Sequence, residues 1–277
     1  MNYVEALNEG TKALETTEST SPSLDAEVLL RFVTGLSKED LISNRLLNIE
    51  SKKLEKYREL LLDRKKGLPI AYLTGEKEFF RYKFKVNKYV LIPRPETESL
   101  VERIAFELKG SHNLKILDIG TGSGCIIVSL AKTLSNQNQY FGSDDSQRAL
   151  AVAQSNAEKH HVKVKFIRSD LTKNTGCDYD VIVANLPYLT KIDDPGVKFE
   201  PAQALVAKKN GVALYERLFK EIASSGKKPL LYLEFGHDQA DIIQQMASEI
   251  MPDTRTEIFK DLWGVPRFGR IWHKVKN

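Results

Sequence analysis

The segment LDIGTGSGC, residues 117–125, constrains the fold more than any other stretch of the chain. An apolar run ends on Gly120, Gly122 and Gly124 and leads straight into an apolar stretch, which predicts a strand, a tight turn and a helix from about residue 124 to 134. Glycines at such a turn let the backbone bend sharply and approach a ligand, and the free N–H groups of the helix start favour a negative group. A mere tight connection would look the same locally, so the surrounding pattern has to decide. The dinucleotide fingerprint G-x-G-x-x-G fails at Cys125, and the Gly-Lys-Ser/Thr ending of a phosphate-binding loop is absent.

After Leu114 strands and helices alternate. LKILDIG, QYFGSD, VKVKFIRSD, DVIVAN and PLLYLEFG are read as strands, with helices opening near Ser146 and spanning about 212–224. TEIFKDL and GRIWHKV close the chain as a strand pair across a Gly/Pro-containing turn. This alternation predicts an α/β fold, a Rossmann-like, seven-stranded, mostly parallel sheet with an antiparallel edge. Residues 1–75 read instead as a small helical bundle. Leu24, Val28, Leu29, Phe32 and Val33 are expected on one face of a helix capped by Ser23 and stopped by Gly35, Ser37 and Asp40 have capping-box spacing, and Leu54, Tyr57 and Leu61 form a stripe ending at Gly67. Residues 76–95 read as a β-hairpin connector alternating around Phe84, Val86 and Val90, with its turn at Asn87–Lys88 and its end at Pro93 and Pro95. Residues 96–277 then form the α/β domain.

DxGxGxG, with Asp118, Gly120, Thr121, Gly122, Ser123 and Gly124, resembles the first motif of S-adenosylmethionine-dependent methyltransferases, where the loop holds the methionine portion. Asp144 ends the second strand, where a carboxylate can accept both ribose hydroxyls, and Asp145 can share that task. Asp170 ends the third strand and can accept from an adenine amine. Asp144 or Asp170 alone could be a helix cap or a solvated loop residue; three successive strand ends bearing the expected groups in order, the glycine turn, Asp144 and Asp170, indicate an adenosyl site. The fourth strand ends in NLPY, Asn185, Leu186, Pro187 and Tyr188. In isolation this is a strand end, a rigid turn and a packed ring. Downstream of an adenosyl motif it resembles the N/D-P-P-Y/F/W motif of methyltransferases acting on a planar nitrogen. The lone pair of such a nitrogen is delocalised. The Asn185 side-chain oxygen and the Leu186 carbonyl can accept its two N–H groups and aim the lone pair at a methyl group, while Tyr188 stacks on the plane. NLPY is compatible with an amide or with adenine N6.

Two further segments, taken with these motifs, separate the readings. PIAYLTGEKEFFRYKFKVNKYVLIPRPETESLVE, LDIGTGSG with VANLPY, and FEPAQALVAKKNGVALY together resemble the HemK/PrmC family. Its members are protein-(glutamine-N5) methyltransferases that act on the GGQ glutamine of class 1 peptide chain release factors. The resemblance spans essentially the whole chain. It implies a helical domain that recognises the release factor, S-adenosyl-L-methionine as cofactor, and catalytic and substrate contacts at residues 185–188. The chain departs from the family pattern at Leu186, which replaces a proline, at Phe80–Arg81, which replace Trp-Gly, at Leu171, where a tryptophan often lies beside the adenine, and at the KKNG run. Adenine-N6 methylation of RNA or DNA, and a non-catalytic binding protein on the same fold, are the competing readings.

Composition supports the first. A net charge of +4 with no basic stripe interleaved with aromatics gives no expectation of a nucleic-acid substrate. No apolar run approaches the roughly 20 residues of a membrane span. Cys125 and Cys177 are unpaired by spacing and the five histidines are scattered, so no metal is assigned and a reducing cytoplasm is expected. A monomer that meets its substrate transiently is the simplest expectation.

Overall fold

The computed structural model describes residues 1–274 except 16, 18, 20, 192–194 and 210. The chain divides into two compact units, one of residues 1–76 together with 195–199 and one of the remainder. In the first unit, α1 (Tyr3–Leu14), α2 (Pro22–Thr34), α3 (Lys38–Ser43), α4 (Ser51–Lys65) and α5 (Ile70–Thr74) surround a core that includes Leu14, Ala26, Leu29, Leu30, Tyr57 and Leu61. Two capping boxes, Asn2 with Glu5 and Ser37 with Asp40, satisfy the first N–H groups of α1 and α3. Gly35, at φ 74°, ends α2.

The buried face of α2 differs from the expected one. Leu24 and Phe32 are 53% and 49% exposed, and the core stripe runs instead through Ala26, Leu29 and Leu30 with Val33 packed beside it. Both stripes satisfy the helical period. Small Ala26 lets α1 approach closely, which a count of large apolar residues misses. The helix also starts earlier, at Pro22 with Ser21 before it, because proline suits the first turn, where its missing N–H is not needed.

A hairpin follows, β1 (Glu76–Phe79) and β2 (Tyr82–Lys85). Its turn is Phe80–Arg81, both at positive φ (48° and 69°), and not Asn87–Lys88 as the composition suggests. Asn87 forms a separate turn further on, where its side chain accepts from Tyr89 N and its carbonyl from Val90 N. Then come α6 (Pro95–Glu107), β3 (Lys115–Ile119), α7 (Cys125–Thr133), β4 (Gln139–Asp144), α8 (Gln147–Lys159), β5 (Val164–Arg168) and β6 (Val181–Asn185). They are followed by α9 (Ala213–Ser225), β7 (Leu230–Glu234), α10 (Ala240–Ile250), β8 (Thr254–Lys260) and β9 (Pro266–His273). The seven-stranded sheet has the order β5-β4-β3-β6-β7-β9-β8, parallel except for β9, which runs antiparallel to β7 and β8. Strands β3 and β6 are buried on both faces, as an interior parallel strand must be when helices cover both sides.

Chain direction across the sheet reverses between β3 and β6. Connections leave β3 toward β4 on one side and run from β6 toward β7 on the other, which opens a crevice at the carboxyl ends of both strands. Buried Asn156 of α8 fixes one wall of that crevice. Its carboxamide accepts from Lys85 N and donates to the carbonyls of Lys85 and Ser123, which clips the hairpin to the glycine turn.

Candidate active site

The turn between β3 and α7 carries Gly120, Gly122 and Gly124 at φ 71°, 54° and 78°, all in the region that a side chain disfavours. A Cβ on Gly124 would lie 3.1 Å from the Ala153 methyl, so glycine also lets α7 start against α8. Asp118 lies beneath the turn. One of its carboxylate oxygens accepts from the Thr121 hydroxyl at 2.7 Å, while Oδ1 is buried without a partner among the described residues. Burial pushes its carboxyl up to about 7, against the pull of the Thr121 hydrogen bond. At the end of β4, Asp144 accepts from Gly122 N at 3.0 Å and from Ser146 N at 2.9 Å. It therefore holds both the glycine turn and the start of α8. Burial raises its carboxyl above the ordinary carboxylate range.

These elements enclose a pocket of about 290 Å³. Of the residues singled out in the sequence, Gly120, Gly122, Asp144, Asp145, Asp170, Leu171, Asn185, Leu186 and Pro187 line it. Asp118, Thr121, Ser123, Gly124 and Tyr188 do not, and belong to the layer that shapes the wall. Asp170 is tied to Arg217 of α9 by a 2.8 Å ion pair, which leaves its other oxygen for a ligand. Leu171 is buried at φ 50°, with its carbonyl accepting from the Ser169 hydroxyl. The sequence reading missed Lys88, Tyr89, Val90 and Leu91 of the connector, Arg148 of α8, and Gln203 and Ala204. The last two lie within FEPAQAL, a segment singled out only as a family mark.

The strand-end tetrapeptide is held from several directions. Leu186 donates its N–H to the buried Tyr215 hydroxyl at 3.0 Å, and that hydroxyl donates in turn to the Glu234 carbonyl. A proline would have no N–H to satisfy, so the hydrogen bond to Tyr215 supplies fixing that leucine's freer φ gives up. The Tyr188 carbonyl accepts from Gln239 Nε2 at 2.9 Å. Gly211 of the KKNG run closes over it, and a Cβ there would come within 1.9 Å of that same carbonyl oxygen. Beyond the tetrapeptide, Leu189 exchanges backbone hydrogen bonds with Leu205 and Ala207. The two family-like segments also meet. Buried Glu200 of FEPAQAL accepts from Ile92 N at 2.9 Å and pairs with Arg94 of LIPRPETE. Asn185 Nδ2 lies 3.5 Å from the Thr97 hydroxyl, and burial pushes the Tyr188 phenol up to about 12, so it stays neutral.

The donor set fits S-adenosylmethionine. The buried, unpartnered Asp118 oxygen calls for a cation, such as the ammonium of an amino acid, and the Asp144 carboxylate retains lone pairs for hydroxyls. Sheet, glycine turn and strand-end acids define an S-adenosylmethionine-dependent methyltransferase of the Rossmann-like class.

Residues 5–75 match the PrmC N-terminal domain family and residues 96–210 the methyltransferase small domain family. Release factor glutamine methyltransferase of Flavobacterium psychrophilum is 35% identical over 260 residues, covering 88% of this chain and 89% of that protein. The Haemophilus influenzae protein of the same name is 37% identical over 268 residues, covering 90% and 91%. The chain belongs to the release factor glutamine methyltransferase family. Among solved structures, the hMettl16 catalytic domain in complex with MAT2A 3'UTR hairpin 6 is similar in fold alone, with a TM-score of 0.56 at 15% identity over 85% of this chain and 87% of that one.

Proposed function

We infer that this chain transfers a methyl group from S-adenosylmethionine to the side-chain amide nitrogen (N5) of the glutamine in the GGQ motif of class 1 peptide chain release factors. The observation that carries this reading is that Asn185 and Leu186, at the end of β6, open into the same pocket as the glycine turn and Asp144. S-adenosylmethionine supplies a methyl group on a sulfonium, electrophilic enough to need no metal or covalent nucleophile. On this reading Asp118 and the turn hold its amino-acid end, Asp144 and Asp145 its ribose, and Asp170 and Leu171 flank its adenine. Asn185 Oδ1 and the Leu186 carbonyl each accept one N–H of the glutamine amide. That grip turns the nitrogen lone pair toward the methyl and favours the positive charge that develops before the nitrogen sheds a proton. Tyr188 is proposed to cover the planar amide from the layer behind the pocket wall. The gain comes from orientation and preorganised acceptors, which together supply several kcal/mol of barrier lowering.

Residues 1–75 are the part proposed to recognise the release factor, with 76–95 as connector and 96–277 as catalytic domain. The protein is proposed to act as a monomer in the cytoplasm, where release factors work. No helix among the described residues is long and apolar enough to cross a membrane. Asn185→Ala tests the grip: turnover should fall far more than tenfold with S-adenosylmethionine affinity nearly unchanged. A fall of less than about tenfold, roughly 1.4 kcal/mol of barrier, would contradict the role given to Asn185.

A further inference from the structure

Glu234 ends β7 directly beside Asn185 in the parallel pairing of β6 and β7, and it is 1% exposed. Among the described residues its side chain makes no ion pair at salt-bridge distance. The Thr97 hydroxyl of α6 and the Asn185 carboxamide face the carboxylate, and Oε2 is buried with no hydrogen-bond partner among the described residues. The charged groups that reach it are Arg267 of β9 and Glu96 of α6. The Tyr188 and Tyr215 phenols and the Cys125 thiol also feel its field. The contact that ties Glu234 to Tyr215 uses the backbone carbonyl, so the fold does not need this carboxylate for it. A buried acid with a vacant oxygen is a standing cost, and its place beside the amide-gripping side chain gives the reason for it.

A carboxamide can sit in either of two orientations that exchange its oxygen and nitrogen, and the groups behind it decide which. To accept from the substrate, Asn185 must keep Oδ1 toward the pocket and Nδ2 behind. The Thr97 hydroxyl can donate or accept, so it permits both orientations. An ionised carboxylate only accepts, so it permits one. We propose that Glu234 is a positioning residue for methyl transfer, whose ionised carboxylate holds the Asn185 amide nitrogen inward and so keeps Oδ1 on the glutamine N–H. This rests on the reading of Asn185 given above. The same negative charge favours the cation that develops at the substrate nitrogen. Protonated, Glu234 offers a donor as well as an acceptor, and the selection is lost. Burial raises its carboxyl to about 7, so turnover should climb as pH rises through that region.

The test measures turnover of the full chain on a release factor, with both substrates saturating, from pH 6 to 9. Glu234→Gln, which keeps the shape and loses the charge, should lower kcat at pH 8.5 by about tenfold or more, leave the S-adenosylmethionine affinity within about twofold, and abolish the acid limb. Retention of the limb would overturn the proposal, as would a kcat within threefold of wild type. Should the glutamine variant fail to fold by circular dichroism, Glu234→Asp decides: the limb must persist and move to lower pH, and an unmoved limb would refute the role. Asn185→Ala in parallel separates the two claims. If it abolishes turnover while Glu234→Gln is silent, only the inference about Glu234 falls. If it retains turnover, the grip itself was misassigned.

Discussion

Asp144→Asn is a sharp test of the cofactor site, because the structure makes the two oxygens of Asp144 equally necessary. Oδ1 accepts from Ser146 N at 2.9 Å and Oδ2 from Gly122 N at 3.0 Å, and each keeps a lone pair for a ribose hydroxyl. Asparagine preserves the shape but turns one oxygen into an NH2 group. Whichever oxygen is replaced, a donor then confronts a backbone N–H, and one ribose acceptor disappears. The unpaired N–H costs about 1–3 kcal/mol, and removing a carboxylate whose protonation burial already favours returns part of that. The free protein should therefore lose little stability. Cofactor affinity has no such offset. Loss of one charge-assisted bond to a hydroxyl is worth roughly 1.5–3 kcal/mol, or about 10- to 150-fold in Kd. Titration calorimetry with S-adenosylmethionine, alongside a thermal melt, separates the two effects. A folded variant whose Kd stays within about threefold of wild type would refute the assignment of Asp144 to the ribose.

Two other predictions concern the fold. Arg81 holds a left-handed angle in the hairpin turn without being glycine, so Arg81→Gly should stabilise the protein by about 0.5–1 kcal/mol, since left-handed backbone costs a side-chain-bearing residue about 1–2 kcal/mol and glycine's extra unfolded-state entropy offsets part of that; a thermal or urea melt with no gain would show the turn to be unstrained. Burial raises Asp118 from 3.8, and Glu234 from 4.5, to about 7. Both groups therefore favour the folded state fully below pH 4 and lose that contribution as pH rises through 7, by about 4.5 kcal/mol for Asp118 and about 3.5 kcal/mol for Glu234 at roughly 1.4 kcal/mol per pH unit. An Asp118→Asn, Glu234→Gln double variant should thus melt increasingly above wild type between pH 5.5 and pH 8, and a difference independent of pH would contradict the buried-charge account.

What could be read from the sequence is what local spacing determines. The βα alternation, the turn glycines, the strand-end acids and Asn185 are features of short segments; the structure puts the strands in one sheet and lines one pocket with Gly120, Gly122, Asp144, Asp170 and Asn185, leaving Asp118 and Gly124 behind its wall. The hairpin turn was misplaced because Phe80 and Arg81 are not turn-forming residues, whereas Asn87–Lys88 looks like a turn and is one, just not the hairpin's. α6 has a legible start in Pro95 and the acids after it, although Pro95 reads equally as the end of the hairpin connector. The support of the tetrapeptide could not be seen at all. Tyr215, Gln239, Gly211 and the Glu200–Arg94 pair reach their partners across 19 to 106 residues, and no spacing rule connects such positions.

The central claim is that the NLPY strand end grips a glutamine amide, and the most direct measurement is transfer of labelled methyl from S-adenosylmethionine to a class 1 release factor. Wild-type release factor should take up one label per molecule, and a release factor whose GGQ glutamine is replaced should take up none. Equal labelling of both, or labelling of neither by protein that still binds the cofactor, would contradict the account.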